Sequence, residues 1–178
     1  MPNPNVELRS VNDSPPADAE GMLLELGNGE SGFAGTPVGT GELTLGEFVD
    51  ERRASSRGES LAPGWVPQTT YWILANGHCA GLLRLRHYLN EALRQKGGHI
   101  GYYVRSEWRG QHVASRALAL ALPLARAHGE HNVMLTTSPD NLASQRVIEA
   151  NGGVCRAEVI DGDDTILQYW IEAGSHSG

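Results

Sequence analysis

The stretch from residue 69 to residue 128 constrains the fold most. Residues 69–75 (TTYWILA) are β-branched and aromatic and read as a strand. Asn76-Gly77 is a hairpin turn signal, because both positions accept positive φ. Residues 79–87 form the returning strand. Residues 99–105 (HIGYYVR) read as a further strand, which passes through a short turn into an Ala/Leu-rich helix over 113–128, closed by Gly129. A hairpin followed by strand, turn and long helix needs a sheet covered by helices, so the chain belongs to the α/β class.

The flanking segments continue the alternation. Residues 5–11 alternate and predict a first strand, and residues 18–26 predict a helix. Residues 27–41 are rich in Gly, Ser, Thr and Pro and read as a loop. Thr44-Leu45-Gly46-Glu47 matches a capping box, so a helix starts there and runs to about residue 55. Residues 57–68 form a second loop, and 88–98 a connection with a Gly97-Gly98 break. Strand 132–138, helix 141–151 and the strands 154–160 and 165–171 complete the pattern, the last two joined by a turn over 161–164. Pro123 lies inside the long helix and is expected to bend it or break it near Ala119. The 178 residues suit a single domain, with residues 174–178 a loose tail.

Composition excludes several classes of function. No apolar run approaches a membrane span, and no basic end with an apolar stretch marks a secretory leader. Two cysteines, Cys79 and Cys155, cannot build a disulfide scaffold or a four-cysteine zinc site, and we expect both thiols buried in a reduced, cytoplasmic protein. No His-x-x-x-His or Cys-x-x-Cys pair supports a metal. Cysteine nucleophile chemistry is a weak alternative, because Cys155 has no histidine near it in sequence. Residues 1–68 hold eleven acids and four basic residues, so the whole net charge of −7 lies there. That is the wrong sign for nucleic acid and favours a cationic ligand, or else serves solubility.

The chemistry is concentrated in the turn Ser106-Glu107-Trp108-Arg109-Gly110-Gln111-His112-Val113-Ala114. A turn entering a helix offers free backbone N–H groups and the positive end of the dipole, which suit phosphate or pyrophosphate. It lacks the Gly-Lys-Ser/Thr of a P-loop and the Rossmann glycines. The pattern Val104-x-x-x-x-Arg109-Gly110-Gln111-x-Val113-Ala114 resembles the acetyl-CoA loop of the GNAT N-acetyltransferase superfamily. Arg86-His87-x-Leu89-Asn90, Gly97-Gly98-His99-Ile100-Gly101-Tyr102 and Asn141-x-x-Ser144 with Asn151-Gly152-Gly153 resemble one bacterial branch of acetyltransferases in that superfamily. The order of elements is similar too, β-α-α-β-β-β-α-β-α-β-β around a mixed sheet. One departure is His112, where the family places glycine.

The resemblance implies acetyl-CoA as co-substrate and no metal. The fourth and fifth strands would splay around the pantetheine arm, with the backbone of Tyr102, Tyr103 and Val104 pairing to it. Arg109, Gly110, Gln111, His112, Val113 and Ala114 would hold the pyrophosphate, and Asn141 would contact the pantetheine or adenine side. An acceptor amine would attack the thioester directly. The helix tyrosine that many members use as acid is replaced by Ile148, and Ser144 one turn earlier resembles the acid of the branch that acetylates ribosomal-protein N-termini. The base stays open among His87, Glu91, His99, an acid from 42–59 and a water chain. Trp65 and one of Tyr71 and Trp72 could wall the acceptor site, or serve the core.

The acidic first third then points to a small cationic amine as acceptor, of the aminoglycoside antibiotic type, and so to resistance. Polyamines and peptide N-termini are alternatives. With His112 and Ile148 in place of family residues, a binding module without transferase activity is the other class of reading. Pairing into a homodimer through an edge strand is also implied, with strand 165–171 the candidate.

Overall fold

The computed structural model describes residues 2–174; residues 175–178, in the tail expected to be loose, lie outside the described residues. In chain order the elements are β1 (Val6–Ser10), α1 (Ala19–Leu26), β2 (Gly29–Glu30), β3 (Phe33–Ala34), α2 (Leu45–Ser56), β4 (Gln68–Ala75) and β5 (His78–Arg86). Then follow α3 (Glu91–Gln95), β6 (Ile100–Val104), α4 (Val113–Ala127), β7 (Asn132–Thr137), α5 (Leu142–Ala150), β8 (Val154–Asp161) and β9 (Asp164–Glu172).

Two sheets meet edge to edge. The first has the order β1-β4-β5-β6 and is antiparallel throughout. The second has the order β7-β9-β8, again antiparallel. The Asn76-Gly77 turn between β4 and β5 has φ of 51° and 83°, the mirror-image turn that suits strand twist. The Thr44 hydroxyl accepts from the Glu47 N–H while the Glu47 carboxylate accepts from the Thr44 N–H, so α2 starts on a complete capping box.

One core lies on each face of the first sheet. Leu83, Leu85, Ile100 and Val104 pack against Val113, Ala117, Leu118 and Ala121 of α4 and Ile148 of α5. On the opposite face Trp72, Leu74, Leu82 and Tyr103 meet Met22, Leu23 and Leu26 of α1 and Phe48 and Val49 of α2. A fully buried leucine such as Leu118 contributes about 1.5–3 kcal/mol of transfer free energy. Side chains alternate along β5, so Arg84 and Arg86 share the α1/α2 face with Leu82.

Several expectations are corrected. α4 runs unbroken through Pro123, because Pro123 and Ala119 are both exposed and the unpaired Ala119 carbonyl can face water. The loop 27–41 contains the small hairpin β2–β3, and the connection 88–98 contains α3, capped by Asn90. Cys155 is exposed, because β8 is an edge strand; Cys79 is buried as expected. The strand 165–171 lies inside β9, paired on both sides, so it is not the free edge proposed for a dimer; β8 is.

Candidate active site

The chain just before β6 touches β7 at an isolated bridge, Gly98 with Leu135, and among the described residues no ladder joins β6 to β7. The hinge needs glycine: Gly98 has φ of +64°, and a Cβ there would clash with the Met134 carbonyl oxygen. His99 braces it. Its N–H donates to the Met134 oxygen at 2.7 Å, its Nδ1 accepts from the Met134 N–H at 2.9 Å, and its Nε2 lies 3.2 Å from Glu130. That pattern fixes the neutral Nε2–H tautomer, and burial lowers the pKa against the opposing pull of Glu130. His99 is therefore held as a brace rather than aimed at the cleft.

Beyond the hinge the edges part and enclose a cleft of about 620 Å³. Tyr102 and Val104 of β6, Leu135 and Thr137 of β7, Asn141 and Ser144 at the start of α5 and Ala114 of α4 line it. β6 pairs with β5 on one side only, so its other edge presents free backbone groups to the cleft.

The start of α4 closes one end. The backbone N–H groups of residues 110–115 have no acceptor among the described residues; the first helical bond is Arg116 N–H to His112 O at 3.0 Å. Six free donors at a helix N-terminus suit a diphosphate. Gly110 takes φ of 73°, and a Cβ there would meet open space. His112 is the N-cap at φ 59° and ψ 16°, with its side chain exposed. The departure from glycine therefore buries no side chain in the turn. Val113 is buried in the core, and Gln111 donates to the Glu107 carbonyl at 2.9 Å.

The Arg109 side chain acts as a strut. Its Nε donates to the Val104 carbonyl at 2.9 Å, and its guanidinium grips Glu30 of the β2–β3 hairpin at 2.9 Å through both nitrogens. Tyr103 points to the other face and stacks on Phe33 of the same hairpin, ring centroids 6.4 Å apart. Asn141 caps α5 by accepting from the Ser144 N–H at 3.1 Å.

Ser144 lines the cleft, and its hydroxyl lies 3.0 Å from that of Tyr102. Burial pushes the Tyr102 phenol up to about 12. Sequence reasoning used only the backbone of Tyr102 and missed this hydroxyl. The signal was the alternation of β6, which sends residues 100, 102 and 104 to the α4/α5 face. Ile148 is fully buried, a core residue rather than a reactive one.

Other expected residues are not brought into the cleft. His87 bonds the Thr69 hydroxyl at 2.8 Å and stacks on His128, centroids 3.8 Å apart, at the end of α4. Burial, then the neighbouring His128, pushes His87 down to about 4. Glu91 lies exposed in the first turn of α3. Trp72 belongs to the core, Tyr71 packs on the α4 face, and Trp65 is exposed outside the cleft. Of the acids in 1–68, Glu30 alone among the described residues lines it, and Arg109 holds it there.

A forked sheet edge with a donor-rich helix start across its mouth defines a coenzyme A-type acyltransferase fold. Residues 42–152 match the model of the Acetyltransferase (GNAT) family, more than half of the chain. The chain belongs to the GNAT acetyltransferase family. The fold is similar to that of yncA from Salmonella typhimurium with its cofactor acetyl-CoA, at TM-score 0.62 and 16% identity over 97% of this chain and 96% of that one. It is similar to RimJ of Mycobacterium smegmatis in complex with CoA-disulfide, at TM-score 0.68 and 20% identity over 100% and 93%. It is also similar to the ribosomal-protein-S5-alanine acetyltransferase of Vibrio fischeri, at TM-score 0.67 and 15% identity over 97% and 94%. No curated protein sequence matches the chain.

Proposed function

We propose that this chain is an acetyl-CoA-dependent N-acetyltransferase that delivers the acetyl group to a primary amine by direct attack on the thioester. The observation that carries this reading is the run of free N–H donors over 110–115 at the start of α4, which borders at Ala114 the cleft that holds the Tyr102–Ser144 pair. Those donors, with the dipole of α4, take the pyrophosphate. The free edge of β6 orients the pantetheine amides through Tyr102 and Val104. Asn141, fixed by its capping bond, offers its amide nitrogen to the same arm. The Tyr102–Ser144 pair hands a proton to the departing thiolate, Ser144 from the helix and Tyr102 behind it. His87, near pKa 4 and outside the cleft, is set aside as base, and Glu91 with it. The amine enters as the neutral form or loses its proton to water.

The charge of residues 1–68 was the argument for a cationic, aminoglycoside-type acceptor. Most of those acids are engaged elsewhere: Glu47 in the α2 cap, Glu25 on Arg105, Glu59 on Arg57, Asp18 on the Cys79 N–H. The cleft adds no support to that reading. A peptide α-amine is the second acceptor class, favoured by a neighbour described as a ribosomal-protein acetyltransferase. Calorimetric titration with acetyl-CoA, then free-thiol release with an aminoglycoside, spermidine, a peptide and amino acids, tests the proposal. Micromolar binding with turnover is expected. No binding at millimolar acetyl-CoA leaves the binding-module reading in its place.

A further inference from the structure

The basic side chains that line the cleft are Arg84, Arg86, Lys96 and Arg109. Arg109 has Glu30, Arg105 has Glu25, and Lys96 has Asp161 and Asp164. Arg84 and Arg86 both line the cleft, and among the described residues neither forms an ion pair. Arg84 spends Nη2 on the Ala34 and Gly35 carbonyls and lies 4.2 Å over the Phe33 ring; Arg86 spends Nη1 on the Gly97 and Gly98 carbonyls. Both are thereby anchored in place with donors left over.

A second observation comes from the α1/α2 face of the sheet, behind Arg84. Arg52 Nε, Ser55 Oγ, Thr70 Oγ1 and Arg84 Nε are shielded from solvent and have no hydrogen-bond partner among the described residues. Thr70 is 0% exposed and Ser55 6%. The four residues belong to β4, β5 and the sheet-facing side of α2. Thr70 is the cross-strand partner of Arg84, and Arg52 and Ser55 share the sheet-facing stripe of α2 with Phe48. Leaving buried donors unsatisfied beside like charges is unfavourable, and an anion relieves both at once. The mutual effect is visible in Arg84 itself: burial, then Arg52 and Arg86, push its pKa down to about 10.

We propose that the acceptor amine carries a carboxylate or similar oxyanion, and that Arg84 and Arg86, backed by Arg52 and Thr70, bind that anion. Arg84 is the register partner of Gly101 on β6, one residue from Tyr102. Arg84 and Arg86 reach the cleft from the α1/α2 face and the Tyr102 hydroxyl from the α4/α5 face, so the anion and the amine of one acceptor meet the cleft from either side of the β6 edge. Gly101 leaves the approach open, since a Cβ there would touch only the Phe33 ring at 3.5 Å. The amine part of this inference rests on the transferase reading; the anion part does not.

The test compares L-amino acids with their carboxamides, their decarboxylated amines and the matching aminophosphonates. Binding to the acetyl-CoA-loaded and the free protein is read by calorimetry, and turnover by thiol release. The acids are expected to bind and react, with the amides and simple amines weaker by at least about tenfold. Response to aminophosphonates as well places the selectivity in charge rather than in carboxylate shape. Arg84→Gln and Arg86→Gln raise KM for the acids about tenfold with little change in kcat and narrow the acid–amide gap. Thr70→Val guards against misfolding, because removing an unpaired buried hydroxyl keeps or raises Tm while weakening the acids. Equal response to acid and amide, including none to either, overturns the proposal. So does turnover confined to cationic amines, which leaves the transferase reading standing. Failure of acetyl-CoA to bind removes the transferase reading alone, and acid-selective binding lost in Arg84→Gln still supports the anion site.

Discussion

The hydroxyls of Tyr102 and Ser144 meet at 3.0 Å across the fork, one from β6 and the other from the first turn of α5. The pair ties the coenzyme edge to the helix that borders the cleft. With its phenol pushed up to about 12, Tyr102 stays protonated and keeps Ser144 supplied with a hydrogen-bond partner over any assay pH.

Removing either hydroxyl tests that pairing. Ser144→Ala is expected to lower kcat by about 100-fold or more, the range of a lost general acid, with KM for acetyl-CoA little changed. Tyr102→Phe has a smaller effect of the same kind, and the double variant is no worse than Ser144→Ala, because the two act in series. Steady-state kinetics with saturating acetyl-CoA decides it. A full-rate Ser144→Ala enzyme would remove the pair from the chemistry.

The His87 imidazole titrates near 4 in the fold, against 6.5 for the free side chain. The unfolded chain therefore binds the proton first as pH falls. The stabilisation by neutral His87 is complete above about pH 6.5 and disappears toward pH 4. Thermal melts should show Tm falling over that window, with His99 contributing in the same direction. His87→Gln makes the fall shallower and leaves the kcat/KM profile between about pH 6 and 9 unchanged. Loss of an acid limb in that profile would instead return His87 to the catalytic machinery.

His112 holds a left-handed backbone at φ 59° with an exposed ring. His112→Gly relieves that conformation, so we expect a gain of about 0.5–1 kcal/mol in chemical denaturation. Acetyl-CoA affinity should change by less than about threefold, because the imidazole is exposed. A gain of a hundredfold in affinity would show that the side chain obstructs the loop.

Glu30 sits on Arg109 at 2.9 Å, both about half exposed. The pair is worth about 0–1 kcal/mol, so Glu30→Gln should barely move Tm. It removes a negative charge beside the donors at the start of α4, and acetyl-CoA should bind about two- to fivefold more tightly at low salt. The difference should fade at high salt in the same titration.

Local chemistry made much of the fold legible. The Thr44–Glu47 box and the Asn76-Gly77 turn each need only near neighbours, and each formed as read. Tertiary context hid the rest. Pro123 is tolerated because its orphaned carbonyl can face water. β9 is central because β7 returns beside it, which no pattern within 165–171 reveals. The site was half legible. The donors over 110–115 follow from a turn entering a helix, whereas the Tyr102 hydroxyl needed the facing of β6. Arg84 and Arg86 were written in the run Leu83-Arg84-Leu85-Arg86, where arginines alternating on a strand buried on both faces announce a polar compartment.

The single Gly98–Leu135 bridge has a thermodynamic consequence. Among the described residues main-chain bonding passes from one sheet to the other through one rung, so cooperativity between the halves depends on the α4 and α5 cores and on whatever lies along the β6 edge. A molecule paired to that edge works as a borrowed strand. It couples the melting of the two sheets, and the sharpness of the unfolding transition becomes a measure of its occupancy.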